Sequence, residues 1–286
     1  MVSGELTRAA ILSQPAWLRQ VPTDVRLPEG RIVYTGCGTS FHAAQTGADA
    51  RQALEAVLAP PDADLLVLVS HGGDTLLTLE AAHAFDGPRW LVTGEPDSAL
   101  GTLCERVVRA TPERERSLCH TASYTCAVAA VAALRGEDVA WLPDAVEAAL
   151  GSPEPVSAHA RWLVAGAGRD WPTAQEAVLK LREGAFVAAE AHHTEQLLHG
   201  HLAGVDETVR CFVLEGEGRA AERARDAVAA LGALGCEVTL VPSVHPVVDI
   251  VRFQLLTVDL AQARGVDPDR IRRDDERWAR ARATYR

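Results

Sequence analysis

The chain has 286 residues, 48% hydrophobic and 23% charged, with a formal net charge of −11 at pH 7. Such a chain buries a sizeable core or two smaller ones and has the balance of an ordinary globular protein. The net charge, offset by no basic stripe, argues against nucleic acid as a partner, and no charge-free apolar run of about 18 residues offers a membrane span.

The first residues, Met1-Val2-Ser3-Gly4-Glu5, lack the basic start and apolar run of a signal peptide. Six scattered cysteines with no Cys-x-x-Cys pair point to buried thiols in a reducing cytoplasm. Gly4 to Val21 has the apolar spacing of a helix, with Pro15 expected to bend or split it. Arg31 to Tyr34 is a β-rich run, followed by Gly36-Cys37-Gly38-Thr39-Ser40 and a helix expected from Phe41 to about Ala59. Strand, glycine turn and helix make the first half of a βαβ unit. The helix start there offers backbone N–H groups and the Thr39 and Ser40 hydroxyls to an anion. The turn has neither the third spaced glycine of a dinucleotide site nor the Gly-Lys-Ser/Thr of a nucleotide loop.

Asp64 to Val69 is a continuous apolar run, as expected of a parallel strand buried on both faces. It leads into Ser70-His71-Gly72-Gly73-Asp74-Thr75 and a helix to about Phe85, a second strand–turn–helix nest. Two short strands follow at Arg89–Thr93 and Arg106–Ala110, then Glu113 to Thr121 and an apolar helix, Ala122 to Leu134. Asp144–Leu150 reads as a short helix and Gly151-Ser152-Pro153-Glu154-Pro155 as a linker. The second half repeats the outline: a strand at Arg161–Ala165, a turn at Gly166-Ala167-Gly168 and a helix at Pro172–Phe186. Strands at Thr208–Leu214 and Cys236–Val241 come next, with helices near Arg219–Leu234 and Pro246–Ala263. The segment from Gly265 onward is densely charged and is expected to be a mobile tail.

Glu176 to His201 holds the chemistry-bearing side chains. Glu176, Lys180 and Glu183 share one helix face, and Lys180 is the only lysine in the chain. Taken alone, the pattern also fits a solvated, salt-bridged face. His192, His193, Glu195 and His199 have spacing compatible with a metal site, but there is no His-Glu-x-x-His, and no metal or cofactor is expected.

Glu176, Lys180 and Glu183, then Ala189-Glu190-Ala191, then Gln196-Leu197-Leu198-His199-Gly200 together resemble the core signature of the sugar isomerase (SIS) domain family. The likeness is to the isomerase half of glucosamine-6-phosphate synthases in particular. Gly36 to Ser40 is similar to that family's sugar-phosphate loop, and Ser70 to Thr75 to its phosphate nest, with Gly72 where a serine is usual and His71 where a glutamine is common. Glu115, Ser117 and Thr121 match a further motif, although Ser117 also reads as a helix N-cap. Gly265-Val266-Asp267-Pro268-Asp269 with Arg272 resembles the family's C-terminal motif, but Glu276 stands where a lysine is expected.

The resemblance implies an α/β fold of two tandem flavodoxin-like αβα subdomains with parallel sheets, residues 1–150 and 151–286. It implies aldose–ketose isomerisation, or deamination of an amino-sugar phosphate, through an enediol or enolamine. Glu183 is then the C1/C2 base, His199 the ring-opening group and Lys180 the partner of Glu183. Gly38, Thr39, Ser40, Ser70, Gly72, Gly73, Thr75 and Ser117 bind the sugar phosphate. Without a glutaminase portion, the polypeptide is not expected to use glutamine. A cytoplasmic homodimer is expected, its helices at Ala122–Leu134 and Val247–Ala263 being apolar over more than one face. A ketosamine-phosphate deglycating lyase and a non-catalytic sugar-phosphate sensor stay open, the latter because of Gly72 and Glu276.

Overall fold

The alternating strand and helix patterns form two wholly parallel sheets in the computed structural model, which describes residues 4–285. A helix α1 (Glu5–Leu18) precedes the first sheet. Its elements are β1 (Ile32–Gly36), α2 (Thr39–Gln45), β2 (Ala50–Gln52), α3 (Ala53–Leu58), β3 (Leu65–Val69), α4 (Leu76–Ala84), β4 (Arg89–Thr93) and β5 (Arg106–Arg109). Helices α5 (Ala122–Leu134) and α6 (Leu142–Leu150) lead to the second half. That half comprises β6 (Arg161–Gly166), α7 (Trp171–Gly184), β7 (Ala188–His193), α8 (Thr194–Leu198), β8 (Val209–Leu214), α9 (Arg219–Ala233) and β9 (Glu237–Val241). It ends with α10 (Pro246–Asp249), α11 (Val251–Arg264) and α12 (Glu276–Arg282).

The strand orders are β2-β1-β3-β4-β5 and β7-β6-β8-β9. The first is the flavodoxin order and the second the same order one strand shorter. Every residue of β3 is buried, as a strand covered by helices on both faces must be. In the first sheet the order reverses between β1 and β3, which pair with Tyr34 opposite Val67. Both glycine turns leave the carboxyl ends of these two strands, so both open into the crevice where α/β sheets bind ligands. One apolar cluster runs from Val67 and Val92 through Val128 to Val164, Phe212 and Leu256, joining the halves. The division into units 1–150 and 151–286 is therefore a proposal rather than a break in the core. Among the described residues no helix is long and apolar enough to cross a membrane.

Five expectations change. The helix expected over Phe41–Ala59 is broken at Gly47 and Ala48, and its middle becomes the edge strand β2. Gly47 lies so close to the Tyr34 ring that a Cβ there would fall 2.5 Å from it, and Ala48 takes φ 91°. Pro15 does not split α1. The carbonyl of Ile11, which a proline nitrogen cannot serve, accepts from Nε2 of Gln14 (2.9 Å) instead. The Ala-Glu-Ala segment is the edge strand β7, paired parallel to β6. Helix α5 is buried along its whole length, because α1, α2, α10 and β4 surround it. Its second apolar face is thus used within the chain and needs no partner subunit.

The fifth change is at the charged C-terminal segment, which is pinned to α1. Asp269, 7% exposed, accepts from the backbone N–H groups of Leu6 (3.0 Å) and Thr7 (2.7 Å) and from the Thr7 hydroxyl (2.6 Å). Asp267 accepts from the N–H of Gly4 (3.2 Å) and of Asp269 (3.0 Å). The first N–H groups of a helix have no partner within it, and here a carboxylate some 260 residues away supplies one, near the positive end of the helix dipole. Asp269→Ala leaves three buried donors unsatisfied, and should cost about 2 kcal/mol in urea unfolding. An unchanged unfolding midpoint would show that water replaces the carboxylate without loss.

Candidate functional site

Helix α7 begins with Pro172 in its first turn, where a missing N–H costs nothing. It ends at Gly184, and Phe186, at φ 55°, turns the chain away. Ala174, Ala177 and Leu181 bury its inner face. Glu176 and Lys180 lie on a neighbouring face that packs against α2 and have no exposed side-chain surface, so the solvated-face alternative does not hold. Glu183, one turn on, keeps 30% of its side chain exposed.

The buried charges are fully engaged. Lys180 Nζ donates to Glu183 Oε2 (3.0 Å) and Thr39 Oγ1 (3.1 Å) and forms an ion pair with Glu176 Oε1 at 3.4 Å. Thr39 in turn donates to Glu176 Oε1 (3.2 Å), and Nδ1 of His42 lies 2.7 Å from Glu176 Oε2. Burial alone would lower the pKa of Lys180, but the carboxylates of Glu176 and Glu183 outweigh it and hold the ammonium well above its usual range. Thr39 reaches this network because the turn before it is tight. A Cβ on Gly36 would fall 2.9 Å from the Val69 carbonyl oxygen and the Ser40 backbone, which leaves glycine as the residue that fits.

Thr39 and Ser40 also line a small enclosed cavity with His71, Thr111, His120 and Tyr124. His71 Nε2 accepts from the Glu115 N–H (3.1 Å), so the proton of the neutral ring is on Nδ1. Burial, reinforced by His120, lowers the His71 pKa to about 4. His120 packs edge-on against His71, with ring centroids 5.1 Å apart. Glu115 is fully buried. Burial pushes its pKa up, but His120 and Ser123 override this and hold it at about 2. Its carboxylate accepts from the Thr121 and Ser123 N–H groups (both 2.8 Å) and so caps α5.

The Ser70 hydroxyl accepts from the Gly73 N–H (3.1 Å) and shapes the second turn. Gly73 has φ 67°, and a Cβ there would overlap the Ser98 side chain. Gly38, at φ 54°, precedes α2, while Gly72 is half-buried and Thr75 exposed at the start of α4. Ser117 departs from expectation. It is completely buried, and its hydroxyl is within 2.7 Å of Thr7 Oγ1 and accepts from the Cys119 N–H (3.2 Å). It neither caps α5 nor faces the cavity.

On the other side of Lys180, Glu183 heads a second, larger cleft, lined with Phe186, Arg272, Arg273, Trp278 and Arg282. Glu276 points away from this cleft, exposed and paired with Arg280 (2.9 Å). His199 is not brought to Glu183 within the chain. It is exposed just after α8 and lines neither cavity. Edge strand β7 and α8 carry it away, and the neighbouring histidines are engaged elsewhere. His193 stacks on Trp171 at 3.9 Å, and His192 lies 4.5 Å from His201. Among the described residues no cluster of His, Cys, Asp and Glu is placed to hold a metal ion. Sequence reasoning missed His42 and His120. His42 sits one turn after Thr39, and His120 inside the matched Glu115–Thr121 segment, so their positions were the available signal.

No family model matches the chain. It is 26% identical to glutamine–fructose-6-phosphate aminotransferase of Zymomonas mobilis over 90% of its own length and 54% of that protein. The chain thus spans about half the length of the curated relatives it matches. Its fold superposes on the C-terminal domain of glucosamine-fructose-6-phosphate aminotransferase from Francisella tularensis with a TM-score of 0.78 at 19% identity, covering 93% of this chain and 98% of that one. Glucosamine-6-phosphate deaminase from Thermotoga maritima gives 0.77 at 19% identity, covering 93% and 97%. The fold is therefore the one these structures share, two tandem parallel αβα units, and the part of the aminotransferase that superposes is its C-terminal domain.

The buried His71 makes a pH test. A histidine whose folded pKa is depressed contributes stability that is fully present above its unfolded value, near 6.5, and lost as pH falls toward 4. His71→Gln should remove that component, worth at most about 3 kcal/mol. Urea unfolding of both proteins between these limits checks it, and equal slopes against pH would mean that folded His71 takes up a proton freely.

Proposed function

We propose that the chain is a sugar-phosphate isomerase or amino-sugar-phosphate deaminase that moves a proton between C1 and C2 of an open-chain sugar. The observation that carries this reading is the asymmetry of the two carboxylates on Lys180. Glu176 is sealed in and serves as counter-charge and link to Thr39, whereas Glu183 opens into a cleft with its carboxylate fixed by one lysine contact. A base that takes a proton from one carbon and returns it to the next needs that combination of fixed position and open face. Lys180, sealed behind Glu183, holds that carboxylate in position through its 3.0 Å contact.

In this reading the backbone and hydroxyls of Gly38, Thr39, Ser40, Ser70, Gly72, Gly73 and Thr75 hold the phosphate end, with His71 Nδ1–H as an added donor. Ser117 takes no part. Glu183→Gln keeps the shape of the side chain but not its basicity. It should lower solvent deuterium incorporation at C1 and C2 of fructose 6-phosphate and glucosamine 6-phosphate by about 10² to 10⁴. Exchange at the wild-type rate would remove Glu183 from the mechanism.

Ring opening needs an acid–base group, and His199, the residue matched to that role, lies outside the cleft of its own chain. A homodimer in which a second copy presents His199 at the mouth of the site satisfies both facts. Sedimentation at micromolar concentration should show a dimer, and a strictly monomeric wild type that turns over cyclic substrate would refute this arrangement.

A further inference from the structure

The cleft headed by Glu183 gathers four arginines, Arg182, Arg272, Arg273 and Arg282, on a chain whose net charge is −11. Two of them are tied to the protein. Arg182 donates to the Ala189 carbonyl (3.1 Å), and Arg282 to those of Arg272 (3.3 Å) and Arg273 (3.1 Å). Arg272 is held differently. Its guanidinium carbon lies 4.1 Å from the centroids of both the Phe186 and Trp278 rings, yet none of its N–H groups has an acceptor among the described residues. The backbone around it is in the left-handed region, with φ 42° at Ile271 and 58° at Arg272. A half-buried guanidinium clasped by two rings, with its donors unused, is already ordered for a ligand that the protein itself does not supply.

We propose that this cleft binds a carboxylate carried on the C1 side of the substrate, with Arg272 as its principal partner. The proposal rests on the C1/C2 role of Glu183 given above. If the nest holds the phosphate end and Glu183 stands at C1 and C2, whatever is attached beyond C1 enters the cleft that Glu183 heads. The cleft has a volume of about 600 Å³, room for a substituent well beyond a hydroxyl. With aromatic rings on its faces, Arg272 meets a ligand through its edge, whose parallel N–H bonds match a planar carboxylate. The substrate class is then a sugar phosphate joined through C1 or its amino nitrogen to a carboxylate-bearing amine.

The test is calorimetric titration with matched probes. These are the fructose 6-phosphate conjugate of glycine joined at C1, the corresponding ethylamine conjugate without the carboxylate, fructose 6-phosphate and fructose 1,6-bisphosphate. The wild type should bind the glycine conjugate about 10- to 100-fold more tightly than the ethylamine conjugate. That ratio should collapse toward one in Arg272→Met and fall in part in Arg273→Gln, an exposed position whose substitution does not disturb the ring stack. Equal binding of the two conjugates by a wild type that does bind fructose 6-phosphate overturns the carboxylate subsite alone. Failure to bind fructose 6-phosphate as well overturns the sugar-phosphate reading and this proposal with it. Tighter binding of the bisphosphate than of the glycine conjugate overturns the assignment to a carboxylate.

Discussion

The site depends on one buried lysine. Lys180 sits between two carboxylates and a threonine hydroxyl with no exposed side-chain surface, and taking such charges out of water costs several kcal/mol each. The arrangement holds because the ammonium has two hydrogen-bond acceptors and an ion pair with Glu176, and both Glu176 oxygens have partners, in Thr39, His42 and Lys180. An arginine does not substitute here. Its planar fork is larger, and its five donors would outnumber three acceptors converging on a point. Because Thr39 and His42 lie on α2 while Glu176 and Lys180 lie on α7, the same network fixes the two halves of the chain relative to each other. Position of the base and register of the halves are one constraint.

That constraint accounts for the differing polarity of the two cavities. On the Thr39 side the walls hold hydroxyls and His71, which burial keeps uncharged. On the Glu183 side the walls are cationic. Lys180 lies between them, and its charge is already matched by its own carboxylates. An anion in the nest is therefore met by dipoles, hydroxyls and N–H groups, while an anion in the cleft meets guanidinium groups that form no ion pair of their own among the described residues. Gly72 places no hydroxyl in the nest, and the imidazoles of His71 and His120 line the cavity beside it.

What the sequence revealed followed from periodicity and local chemistry. Continuous apolar runs such as Leu65–Val69 located central strands, and glycine turns after β1 and β3 located the crevice. Two of the four edge strands escaped notice. Ala50–Gln52 is three residues long, and Ala188–His193 carries alanine, glutamate and histidine where β-branched residues would have signalled a strand. Pro15 was misjudged because its compensation, a side-chain bond from Gln14, is not visible in a propensity. Ser117 and the C-terminal aspartates were misjudged for a shared reason. Their partners, Thr7 and the first turn of α1, are more than a hundred residues away in sequence, and a motif does not record which groups are already spent on packing. His199 shows the converse limit, since a motif match carries a role without saying which chain delivers it.

Three of the four described non-glycine residues with positive φ lie beside Glu183, the fourth being Ala48 before β2. Phe186, Ile271 and Arg272 all have positive φ, at 55°, 42° and 58°, and all three line the cleft beside Glu183. Such conformations cost about 1 to 3 kcal/mol each for residues with a side chain, and Ile271 is β-branched, the least tolerant kind. Something must hold them. Arg272 clasps Phe186 and Trp278, Arg282 bonds back to the carbonyls of Arg272 and Arg273, and Asp269 fastens the segment just upstream to α1. The first helix of the chain thus serves as the footing for the last part of the site. Its capping groups come from the segment that shapes the cleft beside Glu183.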